Sequence, residues 1–334
     1  MNASVEKILM VRLSSIGDIV LTTPVLREVA GFFPDAVIDY CTKPAFRALL
    51  DGNPHIRVLH TIDDPPRERY DLVIDLQNNI RSARLIRKID HDRVVKYRKS
   101  TWKKIVLART GLDITGPYRS VVDRYRGSLE GFGVKADGMG CELFPSEADR
   151  IFAESPAGAG VPLLAVCPGA KHFTKRYPAE KFAGILALLF REMPLKVVIL
   201  GGKEDSDAAA GIMAALPPEF MPHVADLAGK TTFLQSAAVL GRSDAVLTND
   251  TGLMHMASAF GKKIFLLFGS SVPAFGFLPY RVPFELFEVR GLRCRPCSHI
   301  GRSSCRKGHF RCMNDLKEGG IAGSILEYFT RREP

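Results

Sequence analysis

The sequence predicts an α/β protein of two domains, each a doubly wound parallel sheet covered by helices, that face one another across a cleft. Short apolar runs alternate with helical patterns over most of the 334 residues, which is typical of parallel sheets. The alternation stops at residues 154–162 (ESPAGAGVP), where Pro, Gly and Ala are frequent, and then starts again. We therefore predict an N-terminal domain of residues 1–157 and a C-terminal domain of residues 158–334, which ends in a cysteine-rich tail and a closing helix.

In the N-terminal half, the apolar run KILMVR predicts a first strand at residues 7–12, because strands buried on both faces are nearly all apolar. A helix is expected over residues 18–33. The spacing of apolar residues predicts further strands at residues 37–40, 58–61 and 72–76.

The same alternation returns after the predicted boundary. Strands are predicted at residues 163–167, 196–200, 245–248 and 263–268. Helices are predicted at residues 179–192, 205–216, 233–241, 252–260 and 321–331. Doubly wound sheets bind ligands at the carboxyl ends of their strands, so the functional residues are expected in the loops that follow strands.

The charge of the chain indicates the kind of partner. Lys and Arg number 46 and Asp and Glu 36, a formal net charge of +10, which favours nucleic acid, anionic lipid or a phosphorylated substrate. Residues 81–109 carry eleven basic residues and two acidic ones. We interpret this basic stretch either as a solvated helical face or as a contact surface for an anionic acceptor or membrane.

Several other classes of protein are disfavoured. No apolar run approaches the ~20 residues needed to cross a bilayer, and the N-terminus does not resemble a secretory signal, so we expect a cytoplasmic protein. The loop after the first strand has one glycine, whereas a dinucleotide-binding fingerprint has three. Two Asp-x-Asp strings, at residues 90–92 and 205–207, are interpreted as part of the basic stretch and as the acidic start of a helix rather than as metal sites.

Two of the loops at predicted strand ends precede the first helix of each domain. In the first, Gly17 permits a tight turn, and Asp18 is either a helix cap or a carboxylate that points into the cleft. The second, residues 168–178 (PGAKHFTKRYP), combines a glycine turn with cations before a helix. That combination suits a diphosphate, although an ordinary loop with solvated lysines has the same composition.

Two further loops lie in the C-terminal half. Residues 201–205 (GGKED) contain Glu204, which is suited either to ribose hydroxyls or to helix capping. Residues 248–257 (TNDTGLMHMA) place several polar groups at a strand end, which favours a binding role. His255 lies one turn into the helix that follows and is either a ligand contact or a buried core histidine.

Six segments, in this order, resemble the successive signatures of the ADP-heptose:lipopolysaccharide heptosyltransferase family, glycosyltransferase family 9. They are RLSSIGDIVLTTPVLRE (12–28), DLVIDLQNNIRSARLIR (71–87), PGAKHFTKRYPAEKF (168–182), VILGGKED (198–205), DLAGKTTFLQ (226–235) and LTNDTGLMHMASAFGKK (247–263). The resemblance implies two Rossmann-like domains in the GT-B arrangement. It also implies an inverting transferase, independent of metal, that moves heptose from ADP-heptose to the anionic inner core of lipopolysaccharide at the cytoplasmic face of the inner membrane.

The resemblance further implies roles for individual residues. Asp18 matches the catalytic carboxylate, Lys175 a phosphate-contacting lysine and Glu204 a nucleoside-binding acid. Only one hydroxyl residue, Thr174, directly precedes Lys175, which departs from the pattern of two adjacent hydroxyls. We expect donor contacts from Thr174, Lys175, Glu204, Asp250, Thr251, Gly252 and His255, and acceptor contacts from Ser15, Gly17, Asn78 and Arg81.

The C-terminal tail contains four cysteines with two, seven and six residues between them: Cys294, Cys297, Cys305 and Cys312. Four thiols in a short segment are typical of a structural zinc site. Plain thiols packed in a loop are an alternative, and disulfides are less expected in the cytoplasm.

Rival interpretations of the whole chain are a transferase or epimerase for another sugar nucleotide, a nucleotide-binding scaffold without activity, and a nucleic-acid-binding protein. Only Tyr97 and Trp102 are interleaved with the basic residues of the basic stretch, which disfavours nucleic acid as a partner.

Overall fold

The computed structural model of the chain describes residues 5–157 and 160–331. It contains two compact units, the first formed by Met1–Ser100 and Arg119–Phe144, the second by Thr101–Tyr118 and Pro145–Pro334. The predicted domain boundary lies between residues 157 and 158, and residue 158 is outside the described residues. The two units divide earlier, after Phe144, because the helix that follows packs on a helix of the second unit.

The first unit is built on five parallel strands in the order β3-β2-β1-β4-β5. The strands are β1 (Lys7–Val11), β2 (Val37–Thr42), β3 (Val58–Thr61), β4 (Tyr70–Asp75) and β5 (His91–Lys96). The helices in this part of the chain are α1 (Ile16–Val20), α2 (Thr23–Phe32), α3 (Ile80–Ile86), α4 (Thr101–Thr110) and α5 (Val121–Arg126). Of these, α4 groups with the second unit. The strand order reverses between β1 and β4.

The predicted helix over residues 18–33 is wrong in one respect, since the chain forms two helices there. A turn at Leu21 and Thr22 separates them, and Pro24 lies in the first turn of α2. Proline lacks the N–H that a helix interior requires but is tolerated in the first turn, so a new helix starts there.

The basic stretch is not one helical face. Its middle part forms β5 at the edge of the sheet, with Arg93 and Lys96 exposed on it. Edge strands tolerate charged residues because one side of the strand has no neighbour to pair with. The alternation of apolar residues is too weak there to predict a strand.

The second unit is built on six parallel strands in the order β11-β10-β9-β6-β7-β8. The strands are β6 (Leu163–Cys167), β7 (Lys196–Ile199), β8 (Val224–Asp226), β9 (Ala245–Asn249), β10 (Lys263–Leu267) and β11 (Phe284–Phe287). The helices are α6 (Glu147–Ala157), α7 (Ala179–Glu192), α8 (Ser206–Ala215), α9 (Phe233–Arg242), α10 (Gly252–Ser258), α11 (Arg311–Asn314) and α12 (Glu318–Thr330). The predicted strands and helices of this half are confirmed, and the edge strands β8 and β11 are additional. The strand order reverses between β6 and β9.

The core of the second unit lies between its sheet and the helices packed on one face. Phe182 on α7, Phe265 on β10 and Ile325 on α12 are fully buried in it. Burying each such side chain contributes roughly 1.5–3 kcal/mol to the free energy of folding. α12 packs on α7, so the C-terminal helix is part of this core. Among the described residues, none of the helices has the length and apolar character required to cross a membrane.

Candidate functional site

Both sheets place predicted site residues at the point where their strand order reverses. In the first unit, Asp18 follows β1 and Asn78 follows β4. In the second, Lys175 follows β6 and Asp250 follows β9. At such a reversal the two connections leave toward opposite faces of the sheet and open a crevice, which is the usual ligand site of a doubly wound sheet.

A buried ion pair fixes the carboxylate of Asp18. Arg12 Nη2 lies 2.7 Å from Asp18 Oδ1, while Ser15 donates to Asp18 Oδ2 through its backbone N–H (3.2 Å) and its hydroxyl (3.0 Å). Ser15 is therefore the N-cap of α1, and Asp18 is the third residue of the helix. Asp18 therefore takes part in capping the helix, and the alternative, a carboxylate that points into the cleft, stays a prediction.

The guanidinium of Arg12 is held on all sides by protein groups. Its Nε donates to the Ser14 carbonyl (2.8 Å) and its Nη1 to the Leu76 carbonyl (2.6 Å). Burial lowers the pKa of Arg12, but the Tyr125 hydroxyl and the Asp18 carboxylate outweigh burial, and the pKa is raised above its ordinary value. Arg12 thus stays charged and supports the carboxylate of Asp18.

Tyr125 completes the surroundings of Asp18. Its ring lies against the Arg12 guanidinium, 5.5 Å from centroid to Cζ, and its hydroxyl lies 3.4 Å from Asp18 Oδ1. Burial raises the pKa of this hydroxyl well above its usual range, so it remains protonated and able to donate. Lys99 is also near, and partial burial and the charge of Arg12 lower the pKa of its ammonium.

The loop after β4 supports the loop after β1. Gln77 Oε1 accepts hydrogen bonds from the backbone N–H groups of Leu13 (3.0 Å) and Ser14 (3.2 Å). Asn78 has a φ of 40°, a left-handed conformation that asparagine tolerates, and its amide donates to the Tyr97 carbonyl (2.8 Å).

Of the predicted acceptor contacts, Ser15 and Arg81 are exposed, Gly17 is buried and Asn78 is partly buried. The structure brings Ser15, Gly17 and Asp18 together in one turn, while Arg81 is the second residue of α3 beside the reversal. Their contacts with an acceptor stay predictions.

A second ion pair lies at the reversal of the second sheet. Lys175 Nζ is 2.7 Å from Asp250 Oδ2, and both side chains are largely buried. Burial raises the pKa of Asp250, but Lys175, the Ser271 hydroxyl and His255 outweigh it, so the pKa is lowered. The carboxylate is therefore ionised at neutral pH. His255 is buried, with its ring facing Phe277 at 6.3 Å between centroids.

Buried Asn249 joins the loops that follow β6 and β9. Its amide donates to the Pro168 carbonyl (2.6 Å), and its Oδ1 accepts from the Tyr177 N–H (3.2 Å). Thr251 precedes α10 as its N-cap, and Gly252 is the first residue of that helix. Thr251, Gly252 and His255 therefore lie beside the ion pair, where their donor contacts stay predictions.

Asp205 fills the space between two glycine turns. Its Oδ2 accepts from the Gly202 N–H (3.0 Å), and a Cβ added at Gly169 would lie 2.2 Å from its carboxylate. Only glycine therefore fits at position 169. The carboxyl of Asp205 has a raised pKa, mainly because of burial. The neighbouring Glu204 is exposed and folds over Gly202, so its contact with ribose stays a prediction.

Thr174 has a structural partner that the sequence does not indicate. Its buried hydroxyl accepts hydrogen bonds from the Ser270 hydroxyl (3.0 Å) and from the Arg302 N–H (2.9 Å). The backbone of Thr174 pairs with the same two residues. The hydroxyl thus connects the loop before Lys175 to the tail, and its predicted contact with the donor stays a prediction.

Residues 66–305 match the family described as glycosyltransferase family 9 (heptosyltransferase), which is more than half of the chain. The chain belongs to this family. Lipopolysaccharide heptosyltransferase 2 of Salmonella typhimurium is 26% identical over 298 residues, covering 80% of this chain and 84% of the relative.

Solved structures of family 9 proteins share the fold. The glycosyltransferase family 9 structure from Veillonella parvula is 22% identical, covers 98% of both chains and has a TM-score of 0.78. The structure of E. coli ADP-heptose lps heptosyltransferase II is 23% identical, with a TM-score of 0.69 and coverage of 93% of this chain and 98% of that one. Two parallel-sheet α/β domains and the GT-B fold are therefore confirmed.

In this family 9 chain the tail lies against residues 168–178, which we call the donor loop after its predicted contacts. Phe310 stacks on Phe173 at 4.7 Å between centroids, and Arg295 donates to the carbonyls of Gly269 (2.6 Å) and Ser271 (2.7 Å).

The tail cysteines are partly buried, free thiols. The Cys294 sulfur lies 3.9 Å from His309 Nε2, and burial raises the pKa of Cys312 to about 11. Among the described residues there is no group of three or more His, Cys, Asp or Glu that could hold a metal ion.

Three residues that support the predicted site escape sequence reasoning. Arg12, Tyr125 and Asp205 contact the loops at the two reversals, but their partners are distant in the chain. The position of Arg12 could have indicated its supporting role, because it is a charged residue that directly follows four buried residues of β1.

We predict that Thr174→Val loosens the donor loop and the tail together, because it leaves the Ser270 hydroxyl and the Arg302 N–H without their acceptor. The free energy of local opening should fall by about 1–3 kcal/mol. Hydrogen exchange of backbone amides should accelerate at residues 172–176 and at 298–304. Thr231→Val is the control, because the Thr231 hydroxyl pairs with Ser236 only five residues away. Acceleration confined to the donor loop would contradict the coupling.

Proposed function

We propose that this glycosyltransferase moves heptose from ADP-heptose to the inner core of lipopolysaccharide, with Asp18 as general base. The position of Asp18 carries the proposal, since its carboxylate is fixed by Arg12 at the reversal of the first sheet while a fifth of its side chain stays exposed (21%). The family and the printed names of the relatives support the donor and the acceptor.

In the proposed reaction an acceptor hydroxyl attacks the anomeric carbon from the face opposite the diphosphate. A bond forms between the acceptor oxygen and that carbon, the bond from the carbon to ADP breaks, and the hydroxyl proton passes to Asp18. The ion pair with Arg12 keeps Asp18 negatively charged, as a base must be to accept a proton. Four protein contacts of Asp18 match the four lone pairs of its carboxylate, so the acceptor hydroxyl would replace the longest of them, the contact from the Tyr125 hydroxyl at 3.4 Å.

Lys175 would compensate the charge that develops on the departing ADP. An ammonium has three donors, and Asp250 holds the one nearest to it, so the others are available to phosphate oxygens. An ionised Asp250 repels a phosphate, so we assign it to orienting Lys175 and to hydroxyl groups of the sugar. His255 adds positive charge when it is protonated.

The acceptor of this reaction is a lipid, whereas the donor is a water-soluble nucleotide. We therefore propose that the protein works at the cytoplasmic face of the inner membrane and associates with it peripherally. Exposed basic residues such as Arg81, Arg84 and Arg87 suit the phosphates of such an acceptor.

We predict selective binding of ADP in the presence of EDTA, measured by isothermal titration calorimetry against UDP and GDP. Lys175→Ala should weaken ADP binding by about 10-fold or more, because a charge-assisted hydrogen bond contributes about 1.5–3 kcal/mol. Lys181→Ala is the matched control, since Lys181 forms a similar ion pair with Glu318 (3.0 Å). Selective binding of UDP or GDP would mean that the donor is a UDP- or GDP-sugar rather than ADP-heptose. If no nucleotide bound, the assignment of a donor site would be contradicted.

We predict that Asp18→Asn lowers kcat of heptose transfer by about 10²–10⁴-fold, the usual contribution of a general base, while the Kd for ADP is unchanged. The matched control is Asp123→Asn. Asp123 is also the third residue of a helix capped by a serine, and it pairs with Arg126 at 2.7 Å. If both variants lost activity equally, the effect on Asp18 would reflect helix capping and the base assignment would fail.

We also propose that transfer needs no metal, because Lys175 supplies positive charge at the donor site, and that the tail cysteines are reduced thiols. The proposed cytoplasmic location favours reduced thiols over disulfides.

Treatment with EDTA should therefore leave transfer unchanged, and titration of the denatured protein should find all seven cysteines as thiols. Elemental analysis by mass spectrometry should find far less than one zinc per chain. One zinc per chain that resists EDTA would establish the structural zinc alternative, and a shortfall of thiols without metal would establish disulfides.

A further inference from the structure

The segment Thr101–Tyr118, which contains α4 and the loop after it, exposes a concentration of large apolar side chains. Twelve large hydrophobic residues are exposed in the described part of the chain, and four of them lie in this segment. They are Trp102, Leu112, Ile114 and Tyr118, with exposed fractions of 60, 64, 41 and 50%. Clustered exposed hydrophobic residues mark interaction sites, whereas single ones do not.

The inner face of α4 is anchored to the second unit, so its outer face has a defined direction. Lys104 lies over the rings of Phe277 (4.8 Å) and Phe275 (5.7 Å), and Leu107, three residues later, is buried. Trp102 and Arg109 are seven residues apart and share the opposite face, where both are exposed. The helix therefore presents an aromatic ring and, two turns later, a cation on the same exposed face.

The segment is cationic as well as apolar. It carries Lys103, Lys104 and Arg109 but a single acid, Asp113, whose carboxylate accepts from the N–H (2.9 Å) and hydroxyl (2.5 Å) of Thr115 in its own turn. In the sequence it is flanked by further basic residues, Arg98, Lys99 and Arg119. Cations beside exposed aromatic and aliphatic side chains are typical of segments that lie on anionic bilayers.

We propose that the segment Thr101–Tyr118 docks on the surface of a bilayer that contains anionic phospholipid. Trp102, Leu112 and Ile114 insert at the level of the headgroups, and Lys103 and Arg109 face the lipid phosphates. Tryptophan and tyrosine favour this depth because their rings are apolar and their polar ends remain hydrated. The inference rests on the proposed peripheral location and adds the part of the chain that makes the contact.

Trp102 is the only tryptophan of the chain, so its fluorescence reports on this segment alone. Vesicles of phosphatidylglycerol and phosphatidylcholine in equal parts, without lipopolysaccharide, should shift its emission to shorter wavelength and sediment the protein. Vesicles of phosphatidylcholine alone should do neither. Raising the salt concentration should weaken the binding, because exposed charges are screened.

Two double variants separate the charged from the apolar contribution. Lys103→Ala with Arg109→Ala should weaken binding to the anionic vesicles about 30-fold, and Lys135→Ala with Lys307→Ala, exposed cations elsewhere, should not. Leu112→Ser with Ile114→Ser should also weaken it, whereas Met139→Ser with Ile151→Ser should not, although the control pair is the more exposed on average (61 and 60% against 64 and 41%).

Binding without a shift of Trp102 emission, or equal losses in test and control variants, would overturn the proposal. So would self-association that the Leu112 and Ile114 variant abolishes, since the apolar surface would then serve a second copy of the chain. ADP binding of the same variants should equal that of the unmodified protein. Failure of vesicle binding with normal ADP binding would therefore refute the docking segment and leave the proposed transferase activity intact.

Discussion

The positions of the functional loops depend on one topological constraint, the reversal of strand order within each parallel sheet. Parallel strands all end at the same edge, but only at the reversal do adjacent strands send the chain to opposite faces. In both units a buried polar side chain bridges the two loops there. Arg12, just after β1, donates to the Leu76 carbonyl just after β4, and Asn249, at the end of β9, donates to the Pro168 carbonyl just after β6.

The two ion pairs are built differently, and the difference matches their proposed uses. The Arg12 guanidinium directs its N–H groups to three protein oxygens, those of Ser14, Leu76 and Asp18. It is a fixed support, and removing either partner would leave a buried charge uncompensated. The ammonium of Lys175 is a point charge on a flexible stem. The Lys175 ammonium can therefore pair with Asp250 and still reach a ligand. Its proposed role, to bind the negative charge that develops on ADP, requires this.

Local patterns account for most of what the sequence predicts correctly. The strands next to each reversal are runs of apolar residues with glycine or polar residues directly after them, and this placed Asp18, Lys175 and Asp250 at strand ends. The edge strands β5, β8 and β11 were missed because they are short or carry charges, so their alternation is weak. The partners of the site residues were missed because they are not local. Tyr125 lies 107 residues from Asp18, and Arg302 lies 128 residues from Thr174.

The long separation between Thr174 and Arg302 has a consequence for the order in which the protein is made. A ribosome releases the chain from its N-terminus, and domains fold as they emerge. The loop that carries Lys175 appears near the midpoint of synthesis, but its hydrogen-bond partner follows 128 residues later. The nascent chain can therefore complete β6 and the neighbouring strands while this loop still lacks its support. The loop that carries Lys175 is therefore among the last features to gain its support, and a chain cut short before Arg302 would lack the hydrogen bonds that hold Thr174.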